Sequence, residues 1–517
     1  MISLLIKNIR PLFAAVLTTL FISLQWWVGS HHEMWRDEIQ AWLLARESPW
    51  PWDIFHTIRY EGHPALWHLL LWLPSHLSSN PAWMQIIHVA IATFSAWMLW
   101  RHSPLPLWVS ATLPFGYFMF YEYGVLSRNY AISVALLFIL AHQFRLMWRA
   151  SISLGFITAL LCHSNVHSMI LVLGSLPWVI PLYFWHRHKG IHEAKETSKS
   201  VLIGLAIALI GLGTAIIQII PPTDTGFAEE WEFEWEEKRS QKISKSVVHA
   251  YAPVPVDRLH YWNSNTFFDH QSGLGWFDMD DAQSLALFAI ILASLSLLKR
   301  PYLLLPYLSS SIGLWAFFYI KYPGAYRHHG FFALIWIVTL WISLIKHHDL
   351  SPQTWWKKLH SSYIYLLLLT WAALSCWGSW VAASREIRHP FSQGQAAGLY
   401  LLENFGREVI VTGNHGAPQM STLVGYSQIP QYYHLGNQAW SSYVTWDQTW
   451  RKRPSYRQIN QSLIKLSDDF PDKELVFVSS RNRYFQFKDF ELKLLKEFTG
   501  SAVTYETYAL FQVIRKK

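Results

Sequence analysis

The run Ser151-Ile152-Ser153-Leu154-Gly155-Phe156-Ile157-Thr158-Ala159-Leu160-Leu161-Cys162-His163-Ser164-Asn165-Val166-His167-Ser168-Met169-Ile170-Leu171-Val172-Leu173 contains no Asp, Glu, Lys or Arg. A helix needs about 20 apolar residues to cross the hydrocarbon core. The stretch 152–162 is too short for that, yet 150–185 is too long for one crossing. The two are therefore expected to form a tight pair that turns at His163-Ser164-Asn165, and this turn fixes the parity of every other crossing. Working outward, further apolar stretches lie near 11–29, 82–100, 105–121, 129–147, 166–185, 200–220, 283–298, 303–320, 330–345 and 361–382. Together they give a mainly α, polytopic membrane protein with about eleven spans.

With that parity Arg101, Arg145, Arg149, Arg187, Lys189, Lys299, Arg300, Lys346, Lys357 and Lys358 all fall on the side of Lys7. Such a bias of basic residues marks the cytoplasmic side, so the N-terminus is expected in the cytoplasm of a plasma (inner) membrane protein. The first span is too long for a secretory signal and lacks its small-residue cleavage site. The opposite side receives 30–81, the loop 221–282, the link Lys321 to Gly330 and the tail. From 386 to 517 the composition turns soluble. Arg407 to Val411, Glu474 to Val478 and Val503 to Val513 read as strands and Tyr456 to Leu466 as a helix, predicting a small extracytoplasmic α/β domain.

Composition agrees with a bilayer as solvent. Of 517 residues 52% are hydrophobic and only 15% charged, against about 25% charged in ordinary soluble proteins. That excludes disorder. Lys+Arg 42 against Asp+Glu 34 gives +8, but the cations sit in short clusters between apolar runs rather than on one basic face, so no nucleic-acid partner is expected. Trp 30, Tyr 24 and Phe 30 suit anchoring at membrane interfaces. Cys162 and Cys376 lie too far apart in apolar sequence to suggest a disulfide framework or a thiolate zinc site.

Polar residues with a chemical pattern gather in the first outer loop. In Trp35-Arg36-Asp37-Glu38-Ile39-Gln40-Ala41-Trp42-Leu43 the apolar residues recur at helical spacing, predicting a short amphipathic helix in the interface. Asp37 and Glu38 then stand just beyond the bilayer surface, where a solvated acidic pair at a helix start is the plain alternative. Next comes Tyr60-Glu61-Gly62-His63-Pro64-Ala65-Leu66-Trp67-His68, in which Pro64 starts a helix and Gly62 permits the turn before it. Glu229 to Glu237 alternates acidic and aromatic residues like a half-exposed strand.

Trp35 to Trp42, followed by Gly62-His63-Pro64-Ala65-Leu66, resembles the Asp-Glu and Gly-His-Pro-Pro-Leu motifs of the GT-C glycosyltransferases. The similarity is greatest to the branch with the protein O-mannosyltransferases (dolichyl-phosphate-mannose-protein mannosyltransferases) and the lipid A aminoarabinose transferase. Ala65 stands where that family has a second proline. Glu122 with Ser127-Arg128-Asn129-Tyr130-Ala131 resembles the family's Glu…Arg-x-Tyr-Ala segment, and His163 its Thr-His-Tyr turn. The likeness covers roughly residues 10–345. It implies a hexosyl- or pentosyltransferase of the cell envelope, inverting, that moves a sugar from a polyprenyl-phosphate donor to a glycan, lipid or protein acceptor.

On that resemblance Asp37 is the base that takes the acceptor's proton, and Glu38 orients the acceptor or tunes its neighbour. Arg128 and Arg327 are candidates for the leaving phosphate, because charge grows there as the sugar departs and a guanidinium matches phosphate oxygens. Glu61, His63, Tyr130, His163 and His328 complete the expected substrate contacts. The plain alternatives are an Arg128–Glu122 structural ion pair and an Arg327 that snorkels to headgroups. His31, His32, Glu33, His63, His163 and His167 leave a divalent metal open, although no compact ligand signature is present. Rival functions are a transporter or flippase of a lipid-linked saccharide, which would place charges mid-span, and a non-catalytic membrane scaffold.

Overall fold

The computed structural model describes residues 2–188, 198–226, 231–345, 355–414, 416–450 and 454–516. Lys189, Glu229, Glu230, Lys346 and the side chain of Lys7 lie outside the described residues. The chain folds into a helical body followed by a sheet domain.

Eight helical segments among the described residues are long and apolar enough to cross a membrane: Ile9–Gly29, Ala82–His102, Val166–His188, Ser198–Ile219, Met279–Ser296, Pro301–Ile320, Tyr326–Leu344 and Trp355–Arg388. Eight is fewer than the eleven expected, for a local reason in each case. The stretch 105–121 breaks into the short helix Leu107–Thr112, a 3-10 turn at Leu113–Phe115 and a π turn at Tyr117–Glu122. Pro106 and Pro114 interrupt it, since proline cannot donate to a helix ladder. Tyr130–Gln143 and Ser151–Ser164 are helical but have 14 residues each, about 21 Å of rise against a hydrocarbon core of about 30 Å. The turn expected at His163-Ser164-Asn165 is a helix break at Asn165, whose side chain accepts from Ser168 N at 2.9 Å and caps the next helix.

Helix ends sort into two groups. At one end Arg10 donates to Leu105 O at 3.1 Å, His102 meets His142, and Arg187 donates to Ser198 Oγ at 3.3 Å. Arg300 donates to Ile342 O at 3.2 Å at that same end. At the other, Asn129 donates to Ser164 O at 3.0 Å, Gln218 Oε1 accepts from Ala65 N at 3.1 Å, and Tyr130 OH meets His328 Nε2 at 2.9 Å. The basic clusters thus occupy one end of the bundle and the Asp37 loop the other.

The C-terminal domain is three-layered. Its sheet, in the order β3-β2-β1-β4-β6-β5, comprises β1 Ile410–Gly413, β2 Tyr432–His434, β3 Ala439–Ser441, β4 Leu475–Ser479, β5 Phe490–Phe498 and β6 Tyr508–Arg515. β1 pairs in parallel with β2 and β4, and the other pairs are antiparallel. Successive strand residues face opposite sides. Val411 and Val476 pack under helices Gly394–Phe405 and Ala417–Ser427, while Ile410 and Phe477 pack with Leu463 of helix Tyr456–Asp469. β1, β4 and β6 correspond to the three strands expected, although β6 begins later than the Val503 of the sequence reading. The expected boundary at 386 falls inside helix Trp355–Arg388; the domain's own contacts begin at Pro390 and Phe391, whose carbonyls accept from Ala502 and Val503. The acidic–aromatic run is not a strand: Trp231, Phe233 and Trp235 are all exposed, and a helix starts at Glu237.

Candidate active site

Asp37 sits in the first turn of helix Arg36–Arg46, whose buried face runs from Glu38 to Ala45. Three guanidiniums surround its carboxylate. Arg327 Nη2 donates to Oδ2 at 3.3 Å, Arg128 Nη1 lies 3.8 Å from Oδ2 and Arg36 Nε 3.4 Å from Oδ1. Arg128 also donates to the Asp37 carbonyl. Although burial pushes the carboxyl upward, Arg128, Arg36 and Arg327 together hold its pKa below the usual range, so the group is a carboxylate at neutral pH.

Arg327 is not a snorkelling anchor. It is buried, with its guanidinium 5.5 Å from the ring centroids of both Trp35 and Trp262, a geometry in which the ring faces attract the cation. Tyr123 OH fixes its backbone by donating to the Arg327 carbonyl at 2.7 Å. Nor does Arg128 pair with Glu122, the structural role weighed for it. Glu122 is buried and accepts from Tyr117 OH at 2.9 Å and Trp262 Nε1 at 3.3 Å, so it orients one of the two rings that hold Arg327.

Glu38 has a different place from the one expected. It is fully buried, and its oxygens accept from Ser127 N at 2.5 Å and Trp35 N at 3.2 Å and meet His32 Nε2 at 2.9 Å. No face is left for an acceptor. Its hydrogen bond to Ser127 instead sets the loop that delivers Arg128. His32 in turn meets Glu386 Oε1 at 3.0 Å, and Glu386 Oε2 accepts from Tyr121 OH at 2.6 Å and Tyr261 OH at 2.7 Å. Burial alone would lower the His32 pKa, but carboxylates on both sides raise it to about 10, so the imidazole is a cation locked between two anions.

Among the other expected contacts, His63 belongs to the Asp37 group. Burial, with Arg128, His68 and Arg327 nearby, lowers its pKa to about 3, and its Nδ1 has no hydrogen-bond partner among the described residues. A neutral ring with an unused nitrogen beside Asp37 suits contact with a bound molecule. Glu61 accepts from Gln40 Nε2 at 2.9 Å and from Trp446 Nε1 of the C-terminal domain at 2.8 Å; burial pushes it up to about 7. His328 Nδ1 accepts from Ala325 N at 2.8 Å, so its Nε2 donates to Tyr130 OH at 2.9 Å; both ring nitrogens are engaged, while the Tyr130 hydroxyl keeps a proton to donate. His163 faces Thr214 at 3.0 Å and bonds Gln218, whose Oε1 accepts from Ala65 N at 3.1 Å, on helix Ser198–Ile219.

The histidines considered as metal ligands do not form a ligand set among the described residues. His31 meets the Trp27 carbonyl, His32 is engaged by two carboxylates, and no group of three or more His, Cys, Asp or Glu among the described residues could hold a metal ion. Several parts of the site had no sequence signal. Trp262 lies in an unremarkable loop, and Arg36 reads as a flanking charge. Arg36 also lies over the Tyr505 ring, 4.7 Å from its centroid, so the C-terminal domain borders the site. Glu386 did carry a hint, as a carboxylate in the last turn of an apolar helix. No family model and no curated protein matches the chain.

Proposed function

We propose that the chain is an inverting glycosyltransferase that uses a polyprenyl-phosphate sugar and acts at the bundle end bearing Asp37, with Asp37 as general base. The acceptor hydroxyl attacks the anomeric carbon and its proton passes to Asp37. The bond from that carbon to the phosphate oxygen breaks on the opposite face, and polyprenyl phosphate leaves with the electron pair. Arg128 and Arg327 neutralise the leaving phosphate, which is where charge develops. Drawing these cations toward a phosphate also loosens their hold on Asp37 and raises its basicity.

The observation that carries this reading is the convergence of Arg128 and Arg327, 91 and 290 residues away in sequence, on Asp37. That arrangement at a bundle end favours surface chemistry over a mid-span transport path. Counting the two 14-residue helices and the broken stretch 105–121 as crossings gives eleven. The basic end is then cytoplasmic, and Asp37 and the C-terminal domain are extracytoplasmic.

The test is a screen of purified protein with labelled lipid-linked sugars and glycan, lipid and protein acceptors. Asp37→Asn should stay folded and membrane-inserted, melt below wild type because its charge no longer offsets three guanidiniums, and lose transfer by about 10²–10⁴-fold, the usual worth of a positioned base. Arg128→Ala and Arg327→Ala should raise the donor concentration needed for half-maximal rate. Undiminished transfer by Asp37→Asn would remove the carboxylate from its role.

A further inference from the structure

A separate cavity has none of Asp37, Arg128 and Arg327 in its lining. It encloses about 410 Å³ and is lined almost wholly by apolar side chains, among them Trp148, Thr158, Trp178, Leu182, Ala208 and Val338. Trp185 and Leu305 also line it while exposing 47% and 45% of their surfaces, so the cavity opens sideways. With few hydroxyls among its lining side chains, such a space offers little to hold water, which enters only where polar partners are present.

Its mouth is at the basic end of the bundle. Arg149 adjoins the lining Trp148, Arg187 follows the lining Trp185 by two residues, and Lys199 precedes the lining Val201 by two. All three are exposed. Trp148, Trp185 and Tyr302 stand among them, as amphipathic rings do at the headgroup level. An apolar cleft with cations around its mouth matches a molecule with a hydrocarbon chain and an anionic head.

We propose that this cavity holds one acyl chain of an anionic glycerophospholipid from the leaflet at the basic end, with its phosphate at Arg149, Arg187 and Lys199. The polyprenyl donor fits poorly, because its one phosphate is needed at Arg128 and Arg327. Helix Tyr130–Gln143 separates that end from the cavity mouth by about 20 Å. The bound chain lies between the close-packed pair Ser151–Ser164 and Ser198–Ile219 on one side and Val179–His188 on the other, with none of Asp37, Arg128 and Arg327 in the lining.

The test uses full-length protein in vesicles carrying phosphatidylglycerol with a photoreactive acyl chain, followed by peptide mapping. Labelling is expected on the lining residues, saturable by unlabelled phosphatidylglycerol. It should fall about fivefold for each of Arg149→Ser, Arg187→Ser and Lys199→Ser, the factor corresponding to ~1 kcal/mol per cation near an anionic headgroup. Thr158→Phe should abolish it by filling the space, and the three surface variants decide the matter if that variant fails to fold. Equal labelling by a phosphatidylcholine analogue, labelling that does not saturate, or displacement by polyprenyl phosphate would each overturn the proposal. Setting the polyprenyl donor aside rests on the enzymatic reading, but the readout needs no sugar transfer, so failure of the one is distinguishable from failure of the other.

Discussion

At the scale of single residues, the brace Glu38–His32–Glu386 makes stability depend on pH in a defined direction. The folded His32 pKa is about 10, above the ~6.5 of an unfolded histidine. A raised pKa contributes stability in full below pH 6.5 and loses it as pH rises through 10. The melting temperature of detergent-solubilised protein should therefore decline across that window, and His32→Gln should flatten the decline. Glu38→Ala, which leaves the His32 cation facing a void and Ser127 N without its acceptor, should cost about 3–5 kcal/mol, as breaking one side of a buried ion pair does. Glu61 tests the opposite kind of group. Burial raises its pKa to about 7, above the unfolded carboxyl, so deprotonation destabilises the fold as pH climbs from 4.5 through 7. Glu61→Gln keeps an oxygen to accept from Gln40 and Trp446, and should melt higher than wild type at pH 8 while matching it at pH 5.

At the scale of elements, helices Ser151–Ser164 and Ser198–Ile219 cross on small residues. A side chain at Gly155 would strike Gly204, one at Gly204 would strike Ser151, and one at Gly211 would strike Ala159. Within a bilayer, helices associate by close backbone approach, which only such residues allow. Gly204→Leu should push the pair apart and lower the melting temperature by several degrees, whereas Gly213→Leu, which meets open space, should leave it unchanged in the same thermal scan. The apolar stretches could be read from the sequence because hydropathy over about 20 residues is a summed local signal. Where that sum is broken by Pro106 and Pro114, or a helix is cut to 14 residues, length and hydropathy alone no longer mark a crossing, and eight of the eleven expected stretches meet both. In the tail, β1, β4 and β6 were legible as alternating or buried runs. β2 and β3, of three residues each, are too short to show a period and exist through pairing, β2 with β1 and β3 with β2. Asp37 and Arg128 were singled out through the motif resemblance, and Arg327 through its place on the outer side of the expected topology. The inward turn of Glu38, the ring sandwich by Trp262 and the reach of Glu386 to His32 were not, since all three depend on contacts between residues distant in sequence.

For the whole molecule, the decisive contact is the docking of the sheet domain on the Asp37 helix. Gln40 spans it: its Oε1 accepts from Val444 N at 3.0 Å, and its Nε2 donates to Val444 O at 2.7 Å and to Glu61 at 2.9 Å. Tyr426 OH accepts from Met34 N at 2.7 Å on the same face, and a side chain at Gly425 would collide with Ile39. Helix Trp355–Arg388 connects the two parts; its 34 residues rise about 51 Å, well past a hydrocarbon core of about 30 Å. The same helix therefore carries Glu386 up to the brace behind Asp37 and delivers the domain above it. Gln40→Ala would leave the Val444 amide and carbonyl buried and unpaired, a cost of about 1–3 kcal/mol. The loss should appear as local opening rather than global unfolding: faster amide exchange confined to segments 34–46 and 425–446, with the transmembrane helices unaffected. If transfer requires the domain as one wall of the cleft, the same variant should lose activity in proportion to that opening, and Gln40→Glu, which keeps an acceptor for Val444 N but turns a carboxylate oxygen onto Val444 O and Glu61, should lose at least as much. Unchanged exchange at Val444 in Gln40→Ala would mean that the domain is held by the Tyr426 and Ile39 contacts alone.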